Sequence, residues 1–110
     1  MIIEGYIYVL DRARAGALRG TVRLEDVSEA DAPSMVIAAV PLELSEGVVR
    51  APFRLTLGKA PDPRRHYLVT ARLEGPDKVT GGVLAFGTTG AHPFEPQTPS
   101  EMKVEVRPWI

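Results

Sequence analysis

Tyr67-Leu68-Val69-Thr70-Ala71-Arg72-Leu73-Glu74 settles the fold class. In an extended chain Tyr67, Val69, Ala71 and Leu73 share one face, while Leu68, Thr70, Arg72 and Glu74 share the other. A period of two with an apolar side belongs to a half-buried strand. Outward from this stretch the same period recurs. Phe53, Leu55 and Leu57 alternate with Arg54 and Thr56, and Val22 and Leu24 with Thr21, Arg23 and Glu25. Toward the ends, Ile3, Gly5, Ile7 and Val9 alternate with Glu4, Tyr6 and Tyr8; Met102, Val104 and Val106 alternate with Lys103, Glu105 and Arg107.

Two segments, Met35 to Val40 and Val83 to Phe86, are apolar on both faces. They are expected to be central strands, covered on both sides or lying at a subunit contact. Pro41 offers no N–H, so pairing is expected to break or bulge there. The ten glycines and ten prolines fall mostly between the periodic runs, as turn residues should. Asp11 to Ala17 could form a short turn, but Gly16 and Gly20 discourage a helix. About seven strands at this spacing predict a two-layer antiparallel β-sandwich or a small barrel. Residues 1–110 read as one domain, with no linker or internal repeat. The segment 91–100, with prolines at 93, 96 and 99, is the longest irregular stretch.

Composition narrows the function classes. The 110 residues carry 13 Lys plus Arg against 14 Asp plus Glu. A nearly neutral chain gives no reason to propose nucleic acid or an anionic membrane as partner, because both demand a concentrated basic face. The absence of cysteine excludes disulfides, thiolate catalysis and Cys-type metal sites together. Met1 to Tyr6 has no basic n-region or long apolar h-region, so no signal peptide is expected in this form.

Each constellation of reactive residues has a plainer reading. Asp26-Val27-Ser28-Glu29-Ala30-Asp31-Ala32-Pro33 offers oxygen donors that could suit calcium, but it lacks the glycine and terminal glutamate of an EF-hand loop. Asx- and Ser-turns account for it, with Pro33 launching the next strand. His66 and His92 are too few and too far apart for zinc, and His66 follows Arg64 and Arg65. There is no Gly-x-Ser-x-Gly elbow, and Gly81-Gly82 opens a strand without the Lys-Ser/Thr of a phosphate loop. The pairs Glu25 with Asp26 and Glu43 with Glu46 read as solvated charge. No catalytic residue, metal site or cofactor is expected.

Several segments, in this order, resemble the YscW/YbaY group of small β-sandwich lipoproteins, which includes type III secretion pilotins. They are Leu24 to Ala32, Pro52-Phe53-Arg54-Leu55, Tyr67-x-Val69-x-Ala71-Arg72, and Gly82-x-Leu84-x-Phe86-x-Thr88. The likeness runs from about Gly20 to Trp109. It implies an immunoglobulin-like or transthyretin-like sandwich of seven to eight strands without catalytic residues. It also implies action by holding a partner, such as a segment of an outer-membrane secretin, while anchored by lipid. The sequence contains no cysteine to serve as the lipobox residue of that group, and no signal peptide is expected in this form. A trimmed lipoprotein would belong to the cell envelope or periplasm, and a relative made without them to the cytoplasm.

The leading expectation is a non-catalytic domain that binds a protein partner by strand addition at an exposed edge. The residues expected to carry it are Val40 and Pro41 at the edge, Phe94 as anchor in the Pro93-x-x-Pro96-x-x-Pro99 loop, and Trp109, the largest aromatic available. Trp109 is also read as capping the edge of the core. The alternatives are a carbohydrate-binding module, which requires Tyr6 and Tyr8 to be exposed on a flat surface, and a structural homodimer joined through the two-sided apolar strands.

Overall fold

The computed structural model describes residues 1–29, 31–88, 92–94 and 101–109. The strands are β1 (Ile2–Val9), β2 (Leu18–Asp26), β3 (Met35–Leu44), β4 (Arg50–Thr56), β5 (Tyr67–Pro76), β6 (Val83–Thr88), β7 (Pro93–Phe94) and β8 (Met102–Pro108). No helix occurs among the described residues. The ladder runs β3-β2-β5-β6-β8-β1-β4, with the short β7 paired to one end of β5.

All pairs are antiparallel except β1 with β8, where Gly5 to Val9 run beside Met102 to Val106 in the same direction. The strands form one continuous mixed sheet that curls until its edge strands β3 and β4 approach each other. This establishes the all-β class.

Alternation puts the apolar set on the concave side. Ile7, Leu18, Val22, Leu24, Leu55, Leu73, Val69, Phe86, Val104 and Val106 are fully buried there. At roughly 1.5–3 kcal/mol for each fully buried aliphatic or aromatic side chain, this cluster dominates the favourable side of folding. Glycine permits two tight approaches across the sheet. A Cβ at Gly20 would strike the Arg72 carbonyl, and one at Gly75 would strike the Ala17 carbonyl. The turns at Gly47 (φ 83°) and Gly81 (φ 78°) use the left-handed region that glycine enters at no steric cost.

Two ionic clasps tie loops to this frame. Asp26 accepts from the Ser28 N–H at 2.9 Å and the Ser28 hydroxyl at 2.6 Å, the Asx-turn expected from the sequence. Its other oxygen accepts from Arg65 Nε at 2.6 Å, which draws the loop before β5 onto the end of β2. Asp77, buried, accepts from the N–H groups of Val79 and Thr80 and from Arg14, fixing the β5–β6 turn against the β1–β2 loop.

Met35 to Val40 departs from expectation. It is the outer half of an edge strand, not a central one. Met35, Val36 and Ile37 are 67%, 47% and 41% exposed. Hydrophobicity on both faces signals burial only if something covers both faces. Val83 to Phe86 is internal, between β5 and β8, although Val83 stands exposed at the mouth of the hairpin.

Candidate functional site

β3 pairs with β2 along its whole length, Leu44 opposite Leu18 and Met35 opposite Asp26. The register shifts between Leu24 and Glu25, so Ile37 is the extra residue of a bulge. Beyond the bulge, Met35, Val36 and Ile37 are exposed, Ala38 and Val40 pack against the rim of the core, and Pro41 is exposed opposite Thr21. Among the described residues, the other long side of β3 from Met35 to Val40 has no partner strand. Unpaired edge groups beside apolar side chains form a template for an incoming strand.

The convex face beside this edge can be mapped from the register. One row across β3, β2, β5 and β6 reads Glu43, Arg19, Glu74, Ala85, and the next reads Pro41, Thr21, Arg72, Gly87. An open groove of about 850 Å³ lies over the first row, with Ala17, Pro76, Gly82 and Val83 at its apolar end. A smaller one of about 410 Å³ continues past Arg23 and Arg72. Arg19 stands between two carboxylates, so its charge is largely balanced across strands. The hydroxyl of Thr70 holds Glu25 below the usual carboxylate range, with further help from Ser34.

Trp109 lies on this same face. Its backbone N–H donates to the Ala85 carbonyl at 3.0 Å, and its ring covers Gly87, where any Cβ would collide with the indole. Arg72 stacks 4.6 Å from the ring centroid. Trp109 is 51% exposed. It therefore lies on the outer surface of the sheet and does not close the core. This arrangement depends on β6 pairing with β8, which nothing in the local sequence announces.

The remaining candidates fall elsewhere. Phe94, read as a partner anchor, is 9% exposed in the core and stands opposite Tyr67 across β7 and β5. β7 draws it inward, because a lone Phe beside a strand end contributes more buried than in water. Pro96 and Pro99 of the proline-spaced face lie outside the described residues. Tyr6 and Tyr8 are half-buried, their rings tilted 55° to each other, with Arg50 4.9 Å from the first ring and Lys103 4.8 Å from the second. Cations occupy the ring faces that a sugar would need, so the flat, open pair required for carbohydrate binding is not formed.

Residues 3–105 match the family model described as type III secretion system lipoprotein chaperone (YscW). The fold is similar to that of an alternative pilotin from the type II secretion system of Vibrio cholerae, with a TM-score of 0.74 and 25% identity. That alignment covers 100% of this chain and 97% of the other. No curated protein matches the chain.

Proposed function

This chain belongs to the YscW family of type III secretion system lipoprotein chaperones, and on that premise we propose that it holds an envelope protein by adding one of that protein's strands to β3. Its role is chaperone-like and non-catalytic. The observation that carries the proposed mode is the run Met35 to Val40: an edge with no partner strand among the described residues, uncharged throughout, with Met35, Val36 and Ile37 open to solvent. Main-chain hydrogen bonds to an added strand supply affinity, and the apolar side chains on both sides of the edge select its alternate residues. The secretion-channel subunit of the outer membrane is the partner this reading favours, and the cell envelope is its compartment.

Overlapping synthetic peptides spanning the secretin of the same genome test the mode by fluorescence anisotropy. A peptide that binds the protein and loses about tenfold or more in affinity to Ile37→Lys is the expected result. Binding that survives Ile37→Lys unchanged moves the site away from β3. The absence of binding by any peptide removes the proposed partner.

A further inference from the structure

Three arginines line the smaller groove on the convex face, and two of them are answered from within the chain. Arg19 lies across from Glu43 on β3 and Glu74 on β5. Arg72 stacks on Trp109 and comes within 3.9 Å of Glu74. Arg23 is half-buried, and among the described residues it enters no ion pair and covers no aromatic ring. Glu25 follows it on the same face, but its two oxygens already accept from Ser34 at 2.7 Å and Thr70 at 2.6 Å. A guanidinium partly withdrawn from water without a counterion costs free energy that a carboxylate from outside would offset.

The register sets this cation one strand in from the edge. Ala39, Arg23 and Thr70 form one row of the convex face, so only the small, exposed Ala39 stands between Arg23 and the outer side of β3. The bulge at Ile37 and the missing N–H of Pro41 confine regular pairing to Ala38, Ala39 and Val40. Ala39 is the middle of that window, and Ala38 and Val40 on either side pack against the rim of the core. So short a ladder supplies few main-chain bonds, which leaves selectivity to the side chains.

We infer that Arg23 is the specificity-determining residue of this edge: it pairs over Ala39 with an aspartate or glutamate on the partner's added strand, at the position opposite Ala39. This rests on the strand-addition reading. Adjacent strands lie about 4.8 Å apart, so the two backbones stand about 10 Å from each other, a gap that an arginine and a carboxylate side chain span together. The partner residues before and after the acid face the core rim beside Ala38 and Val40, where apolar side chains fit. The selected segment therefore reads apolar, acidic, apolar, and a cation at its middle position is refused by like charge.

The overlapping secretin peptides test this by fluorescence anisotropy when each is made as encoded and again with Asp and Glu replaced by Asn and Gln. Peptides that lose affinity to Ile37→Lys should contain the apolar, acidic, apolar run and weaken about tenfold on amide replacement. Arg23→Gln should cost the encoded peptide a similar factor and its amide form almost nothing. Arg23→Glu should regain affinity for a peptide with lysine in place of the acid. Arg54→Gln, which removes an equal charge from β4, should change nothing. A peptide sensitive to Ile37→Lys but indifferent to Arg23→Gln overturns the inference and leaves strand addition standing. The inference also falls if Arg23→Gln weakens both peptide forms alike, or if Arg54→Gln weakens binding as much. If no peptide binds, both readings fall together.

Discussion

Gly87 and Trp109 show how one residue's absence of a side chain positions another. The indole occupies the space over Gly87 that any β-carbon would fill, and Arg72 stacks on it. The Gly87→Ala variant should push the ring off the strand and into water at little cost in stability, because the colliding atoms belong to a rotatable side chain. Trp109 is the sole tryptophan, so a red-shifted emission maximum with a nearly unchanged melting temperature checks this directly. Asp26 gives a second prediction. Its bond from Arg65, then those from Ser28, hold its pKa down to about 2 from an ordinary 3.8. A depressed carboxyl pKa contributes stability that is fully present above the unfolded value and lost as pH falls through the folded one. Asp26→Asn should therefore lower the unfolding free energy by ~1–2 kcal/mol near pH 6, after discounting for the solvent around Arg65. The gap from wild type should close between pH 4 and pH 2 in urea titrations. The turn at Asp26 was legible because it is made within three residues. The Arg65 contact was not, since it joins β2 to a loop almost forty residues later.

Strand identity was readable from alternation, but strand placement was not. Met35 to Val40 and Val83 to Phe86 have the same two-sided apolar pattern, yet one is an edge and the other internal. Which neighbours a strand acquires is a property of the sheet, and a local pattern cannot report it. Phe94 moved the opposite way, from expected anchor to core, because β7 pairs with β5. The connections between elements also carry energy that the sequence conceals. Arg12, 5% exposed in the β1–β2 loop, donates through Nη2 to the Gly16 carbonyl at 2.7 Å and through Nη1 to the Val48 carbonyl of the β3–β4 turn. Its Nε is buried without a partner, and desolvation lowers its pKa although Glu46 opposes the shift. Burying this cation costs free energy, while its two bonds satisfy carbonyls that methionine would strand. Hydrogen bonds from charged donors are worth ~1.5–3 kcal/mol each, so the bonds outweigh the one orphaned N–H. Arg12→Met should destabilise the protein by about 2 kcal/mol in chemical denaturation. It should also raise hydrogen exchange at Val48 and Val49 more than in β5. A variant as stable as wild type would show that desolvation dominates.

Among the described strands, β8 alone joins by hydrogen-bonded pairing the two parts of the sheet, β3-β2-β5-β6 on one side and β1-β4 on the other. It is the last of the described strands, and its parallel pairing with β1 sets Gly5 beside Met102, almost a hundred residues apart in sequence. No sequence pattern predicts such a pair, because parallel and antiparallel strands of this length carry the same alternation. The topology does determine an order of events. The β2–β3 and β5–β6 hairpins close short loops, whereas β8 must close the longest one, and loop-closure entropy has to be overcome before the contacts reward it. β8 should therefore dock after the rate-limiting step. Val106 is fully buried on β8 and Val22 fully buried on β2. Truncating either to alanine should cost about 2 kcal/mol at equilibrium. The kinetic division should differ. Val106→Ala is expected to accelerate unfolding and leave refolding almost unchanged, a φ-value near zero, while Val22→Ala slows refolding. Stopped-flow chevrons on the two variants decide it. A large refolding defect in Val106→Ala would mean that the joining strand belongs to the nucleus, and that the two parts of the sheet do not form ahead of their connection.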